Sequence, residues 1–474
     1  MITIKLGNAN SKVTNIDKVI KLQLSEALAV KVPGSEYSPK YQEGVWDGKL
    51  RFLKWSSFPT GLLDLVLSTL TQLGQDYVIE DSRIQPPSII VPDKIELGGG
   101  ITLRDYQLQS VSKAISSARG IINVATNGGK TEIACGIIKC LIPTIEFNLP
   151  IAFFTHSKEI FIQTHKRLEK RLGMKVGRIG SGKWEEKQVN VVMIPTVSRH
   201  LRTESDKTPR TKDFLSRVIC FLGDEVHHAS SDSWYEVLMA CTQAYYRFGL
   251  TGTVDEDQQL NKMKLQSVTG GIIHKISNEF LIKEGHSAKP VIYFIDMSDC
   301  DKIPKGDFSW VYDKGIVNNK IRNSKFCDVI EQKVWEDKQS LVIVNHIDHG
   351  ENVLQELTNR GITTEFTHGG RTSTFREEVL DRFSNGEIPV LIATNILDEG
   401  VDLSNINCLF MLSGGKSFRM TLQRVGRGLR VKDGDNVVEV YDALDLFNGY
   451  LAEHTLERHD HYKWEGFDIK KLEL

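Results

Sequence analysis

Two short segments of this sequence gather residue types that handle phosphate and water. In the first, the apolar run GIINVA leads into Thr126, Asn127, Gly128, Gly129, Lys130 and Thr131, followed by the apolar-periodic EIACGIIKC. Glycines let backbone N–H groups approach phosphate oxygens, and a helix start adds partial positive charge. From such a loop a lysine at position 130 reaches β- and γ-phosphates, and the Thr131 hydroxyl is a ligand for Mg²⁺. Val124 stands where G-x-x-x-x-G-K-[ST] has its first glycine, and an ordinary glycine-rich strand-to-helix turn is the competing reading. In the second segment, RVICFLGDEVHH, Asp224 and Glu225 close another apolar run. A carboxylate there holds Mg²⁺ opposite the phosphate loop, and a second one orients and deprotonates an attacking water. Asp224 suits the first role and Glu225 the second. His227 and His228 are adjacent, without the spacing of zinc ligands, and a metal site on them is not expected.

Those segments need strand ends to carry them. From 101 to about 285 the runs GIINVA, PIAFFT, VNVVMIP, RVICFLGDE and RFGLTGT are short, apolar and β-branched, and helix-like stretches separate them. SLVIVNH, TTEFTH, PVLIATN, NCLFMLS and VVEVYDA repeat the alternation from 286 to 474. Strands buried on both faces and alternating with helices predict two α/β lobes with parallel sheets. Residues 1–98 read as a separate small α+β domain, ending at the flexible ELGGGI. The expected boundaries are therefore 1–98, 99–285 and 286–474. With 474 residues each lobe can hold a core. Seven scattered cysteines without a C-x-x-C pair argue against a disulfide scaffold or zinc ribbon. No run approaches 18 apolar residues and the N-terminus lacks a signal-peptide core, so no membrane partner and a cytoplasmic location are expected. A net charge of −2 excludes a wholly basic nucleic-acid binder but not local basic tracks.

Taken in order, the motifs resemble those of superfamily 2 helicases. ITLRDYQ resembles the adenine-reading segment, with Arg104 and Gln107; VATNGGKT resembles motif I and DEVH motif II. FFTHSKEIFIQ, with Thr155 and His156, resembles motif Ia, and VVMIPTV, with Thr196, the next strand-contacting motif. LTGT resembles motif III, LVIVNHIDHG motif IV, LIATNILDEGVD (Thr394, Gly400, Asp402) motif V, and QRVGRGLR (Gln423, Arg427, Arg430) motif VI. The resemblance implies RecA-like lobes that close on ATP and Mg²⁺. Arg427 and Arg430 would neutralise charge on the γ-phosphate, Gly400 and Asp402 would face the nucleotide, and Thr155, His156, Thr196 and Thr394 would hold a DNA strand. IVNNKIRN, the C-terminal YDALDLFNGYLAEHTLERHDHYKWEGFDI and the N-terminal YSPKYQEGVWDGKLRFLKW resemble the phage UvsW-type helicases, which are related to XPB and RecG. That subgroup implies a DNA-dependent ATPase that unwinds and branch-migrates forks and Holliday junctions in recombination, repair and replication, in the host cytoplasm if phage-encoded. A monomer is the working expectation.

Residues 1–55 carry nine Lys/Arg against five Asp/Glu. Tyr37, Tyr41, Trp46, Phe52 and Trp55 interleave with Lys40, Lys49, Arg51 and Lys54, and Trp46, Lys49 and Arg51 are the DNA-contact candidates. The alternative is a small sheet with an aromatic core and a solvated lysine face. The basic stretch Arg199–Lys212, with its proline, reads as a loop that could touch DNA or separate strands, or as a plain surface loop. KIPKGDFSWVYDKG reads as a polar connection. Rival functions are a duplex translocase of a restriction or defence complex, an RNA helicase, and a nucleotide-gated DNA scaffold without turnover.

Overall fold

The computed structural model describes residues 1–83, 85–125, 127–146, 148–203, 205–226, 231–252, 259–394, 406–415 and 437–472. Contacts divide it into two compact units, Met1–Val124 with Gly129–Ile276, and Ser277–Leu474 with Ala125–Gly128.

The first unit begins with an accessory sheet. β1 (Ile2–Leu6) pairs antiparallel with β2 (Asn10–Thr14), α1 (Lys18–Ala27) follows, and β3 (Ala29–Lys31) pairs with β4 (Lys49–Arg51) around the short α2 (Pro39–Gln42). β5 (Ser57–Pro59) joins β2, α3 (Leu63–Gln72) follows, and β6 (Tyr77–Asp81) runs parallel to β1. Ile4, Val13, Leu24, Phe58, Val66 and Leu70 are fully buried between sheet and helices. Met263, from the helix α10 described below, joins this core. The Asn8 side chain donates to the Gln243 carbonyl (3.1 Å), and Arg119 donates to the Asn8 carbonyl (2.8 Å). The accessory sheet therefore shares a core with the first lobe, although nothing in its sequence pattern marks that contact.

The ELGGGI turn joins β7 (Glu96–Leu97) to β8 (Ile101–Thr102) and leads into α4 (Asp105–Ser117). The lobe sheet then follows: β9 (Arg119–Val124), α5 (Lys130–Leu141), β10 (Ile151–Thr155), α6 (Lys158–Leu172), β11 (Gly177–Gly180), β12 (Lys183–Glu185) and β13 (Val189–Met193). α7 (Ile194–Arg202), α8 (Thr208–Arg217), β14 (Cys220–Asp224), α9 (Asp232–Ala240), β15 (Tyr246–Thr251), α10 (Gln259–Thr269) and β16 (Ile272–Ile276) complete it. The order is β12-β11-β13-β10-β14-β15-β9-β16, parallel except at the β12 edge. Every apolar run named from sequence in this lobe is a strand, because residues such as Ile121, Phe153, Val191, Leu222 and Phe248 are buried to within 1%.

The basic stretch at 199–212 is a correction. It lies in two helices, α7 and α8, each with proline in its first turn. Proline is tolerated there because the N–H it lacks would be unpaired anyway. Phe214 and Leu215 anchor α8 in the core, Arg202 pairs with Glu236 (2.8 Å), and Arg210 lies over the Trp184 ring at 4.8 Å.

The second unit opens with α11 (Asn278–Lys283), ahead of the boundary expected at 285. The Asn278 amide donates to Glu465 at 2.7 Å and ties that helix to this unit. β17 (Lys289–Asp296), α12 (Phe308–Tyr312), a π-helical turn at Asp313–Val317, α13 (Lys320–Trp335), β18 (Ser340–Ile343), α14 (Ile347–Asn359) and β19 (Thr364–Thr367) follow. α15 (Ser373–Ser384), β20 (Val390–Ala393), β21 (Cys408–Met411), β22 (Val437–Leu444), α16 (Gly449–Trp464) and β23 (Asp468–Leu472) end it. The seven-stranded sheet, β19-β20-β18-β21-β22-β17-β23, is parallel throughout. The connection around Trp310, read as polar, is helical, and its Val311, Tyr312, Ile316 and Val317 are buried in the sheet's core.

Two of the segments quoted for the UvsW-type resemblance, IVNNKIRN and the C-terminal one, meet inside this unit. Arg322, from IVNNKIRN, donates to both Asp445 oxygens (2.9 and 3.1 Å) and to the Leu412 carbonyl. Arg458, on α16, donates to Asp442 (2.9 Å) and to the Gly414 carbonyl, and the Tyr462 hydroxyl shares Asp442. All five side chains are buried. The network fixes α16 to β22 and holds the chain leaving β21.

His349, buried on α14, donates from Nε2 to the Asn323 side-chain oxygen (2.9 Å). Burial and the nearby Arg322 hold its pKa down to about 3. The unfolded chain binds a proton near pH 6.5, so stability from this group is complete above that pH and is lost as pH falls toward 3. Between pH 7 and 5 the second unit should lose about 2 kcal/mol through this residue. Denaturant titrations of wild type and His349→Gln at both pH values test this; an equal acid loss in the two proteins would contradict it.

Candidate active site

The phosphate-loop residues stand between β9 and α5. Asn127 and Gly129 both have left-handed backbones, φ 69° and 79°, and the Gly128 N–H closes the turn on the Ala125 carbonyl (3.0 Å). Gly129 caps α5, so Lys130 and the half-buried Thr131 occupy its first turn, where the helix end favours anions. Thr126 lies outside the described residues.

Gln107 is buried against this loop. Its Oε1 accepts from the Arg104 N–H (3.0 Å), and a Cβ on Gly129 would come within 2.2 Å of its Nε2. The Arg104 guanidinium, on the exposed side, donates to the Tyr106 hydroxyl (3.1 Å). The segment expected to read adenine is thus in contact with the segment expected to bind phosphate. Gly129→Ala should cost about 1–2 kcal/mol of backbone strain and displace Gln107. The measurement is a thermal melt with nucleotide titration: a lower melting point and weaker ATP binding are expected, and wild-type values for both would contradict the packing described.

Asp224 ends β14, and its Oδ1 accepts the Glu225 N–H (3.1 Å). Glu225 has φ 48°, an unusual backbone for a residue with a side chain. Buried Val226 holds that turn, because it fills the space over Gly249, whose Cβ would lie 2.5 Å from it. Glu225 Oε1 accepts from Lys130 Nζ at 2.5 Å, with both side chains 15% exposed. The lysine of the loop and the carboxylate of the acidic strand end therefore meet at one edge of the sheet, from strands β9 and β14 that flank β15. Thr131 and Asp224 supply only oxygen, the donor set that suits Mg²⁺. Among the described residues no cluster of three His, Cys, Asp or Glu could cage a metal by itself.

The other expected site residues separate into groups. Thr155 ends β10 and Thr394 follows β20; both are buried, with hydroxyls that lack a partner among the described residues. His156 and Thr196 are half-buried, Thr196 in the first turn of α7. Lys49 pairs with Glu26 (2.6 Å), and Arg51 with Glu26 and Asp47 (2.5 Å each). Trp46 is half-buried and donates to the Lys49 carbonyl (2.9 Å). Phosphate binding by Lys49 or Arg51 has to compete with those carboxylates. His227, His228, Thr253, Gly400, Asp402, Gln423, Arg427 and Arg430 lie outside the described residues. All seven cysteines are buried and unpaired.

Residues 100–256 fit the family model described as "Type III restriction enzyme, res subunit", and residues 322–432 fit "Helicase conserved C-terminal domain". The chain is 21% identical to the ATP-dependent DNA helicase uvsW of Enterobacteria phage T4, across 94% of both proteins. It is 26% identical to the DNA 3'-5' translocase XPB2 of Sulfurisphaera tokodaii, across 81% of this chain and 89% of that protein. The crystal structure of T4 UvsW superposes with a TM-score of 0.50 at 18% identity, covering 99% of this chain and 98% of the other, and supports the fold. The two family models and the helicase relatives, with two parallel-sheet lobes in tandem, mark an ATP-hydrolysing helicase of superfamily 2. Within that superfamily the chain is related to the UvsW and XPB helicases.

Proposed function

We propose that this chain is a DNA helicase and translocase that unwinds and branch-migrates forked and four-way DNA in recombination, repair and replication-fork processing. The observation that carries this reading is its correspondence with T4 uvsW along 94% of both chains, accessory region included. The reaction is ATP + H₂O → ADP + phosphate. Arg104 and Gln107 take the adenine; Asn127 to Thr131, with Thr126, wrap the phosphates. Glu225 orients the water and accepts its proton. Thr131 and Asp224 hold Mg²⁺, which when bound draws charge from the phosphate oxygens. Arg427 and Arg430 of the second lobe neutralise the γ-phosphate, with Gly400 and Asp402 on the nucleotide. Thr155, His156, Thr196 and Thr394 serve the DNA backbone, which carries no sequence information, so binding is not sequence-specific and weakens steeply with salt. Among the described residues no helix is long and apolar enough to cross a membrane. We place the protein in the cytoplasm, the host's if the source is a phage, as a monomer.

One observation favours a second reading. The first-lobe family model is named for a restriction subunit, which suits a motor that moves on duplex DNA without parting strands. Mobile four-way junctions and forks tailed on either strand, incubated with protein and ATP, separate the two. Strand exchange and release support the proposal; ATP consumption on duplex without any released strand would replace it with the duplex motor.

A further inference from the structure

The cations first singled out in the accessory region, Lys49 and Arg51, are neutralised by Glu26 and Asp47. Unneutralised charge lies elsewhere, at the turn between β4 and β5. Lys54 and Ser57 exchange two backbone hydrogen bonds of 2.9 Å around Trp55 and Ser56. Trp55 has φ 61° and Ser56 has a negative φ. This is the type II′ pattern, whose first central position favours glycine. A bulky ring there is strained, and strain of this kind persists at functional positions. Trp55 is also 92% exposed, the highest value for any large hydrophobic residue among those described. It makes no hydrogen bond or ring contact with the described residues. Its neighbours Phe52, Leu53 and Phe58 are buried, so the ring projects from a rigid base. Two lysines flank it: Lys54 is exposed, and Lys21 reaches the turn by donating to the Ser56 hydroxyl (3.3 Å). Neither has a carboxylate partner among the described residues.

An exposed indole between two unneutralised ammonium groups matches the chemistry of an unpaired nucleobase with its flanking phosphates. We propose that Trp55 is the accessory domain's base-stacking residue, resting on a base freed at a DNA branch point while Lys54 and Lys21 take the adjoining phosphates. The inference rests on the DNA reading above. It moves the accessory DNA contact from Trp46, Lys49 and Arg51 to this turn.

The test uses the full chain and a fork carrying 2-aminopurine at the branch point, with a blunt duplex of equal length beside it. Wild type should change the 2-aminopurine emission. Trp55→Gly, which relieves the turn, should melt no lower than wild type, bind the fork about tenfold more weakly, bind the blunt duplex nearly as wild type, and leave the emission unchanged. Trp55→Phe keeps a smaller ring and should retain part of the emission change, so the proposal stays testable if the glycine variant is unstable. Fork affinity and emission equal to wild type in both variants would overturn it and leave the ring to a protein contact. Equal losses on fork and duplex would overturn it as well, since stacking needs an unpaired base. A wild-type chain that binds none of these DNAs would overturn the DNA reading along with it.

Discussion

Lys130→Ala leaves the chain folded and removes ATP hydrolysis. The side chain sits in the first turn of α5, outside the apolar core formed by Ile133, Ile137 and Leu141. Its recorded partner is Glu225 at 2.5 Å. Deleting it removes one ion pair and the packing of a lysine stem at the rim of the lobe, and leaves the apolar core intact. Its contribution to the reaction is far larger. A preorganised cation aimed at charge that grows in the transition state typically carries about 10²–10³ in turnover. This one also faces the carboxylate assigned to the water. Steady-state phosphate release with forked DNA, beside a thermal melt of the same variant, checks both halves of the statement. Wild-type turnover in a folded Lys130→Ala protein would remove the assignment of the loop.

Arg430→Ala keeps nucleotide affinity and loses hydrolysis by about 10³–10⁵, the range for arginines that reach a transferring phosphoryl group. In the proposed reaction Lys130 serves the phosphates from the first lobe, and QRVGRGLR, where Arg427 and Arg430 stand three apart, supplies the further positive charge. Nucleotide titration and single-turnover hydrolysis separate the two effects. If Arg430→Ala abolishes binding while hydrolysis per bound ATP persists, the residue is a binding group and its role in the reaction has been misassigned.

The strands that carry the site were legible because both faces of each sheet are covered. GIINVA, RVICFLGDE and PVLIATN could only be buried strands, and the residues at their ends could only point to one edge of a sheet. β17 and β23 were harder to see. KPVIYFID begins on Lys and Pro, and DIKKL, at the sheet edge next to it, carries three charged residues in five. The helices at 199–217 were hidden by prolines that open helices as readily as they interrupt them. Pairings distant in sequence left no local trace. Glu26 reaches Arg51 across 25 positions and Asp445 reaches Arg322 across 123, and neither follows from composition or periodicity. This is why the accessory cations looked available and why Trp55 looked like one more aromatic among several.

The proposed function rests on Lys130, Asp224 and Glu225 splitting ATP in response to DNA. The most direct measurement is the rate of phosphate release by the wild-type chain with single-stranded DNA, duplex, forked DNA, a four-way junction and RNA in parallel. A low basal rate raised most by forked and four-way DNA is the predicted result. A rate that no nucleic acid raises, or that RNA raises above every DNA, would contradict the account.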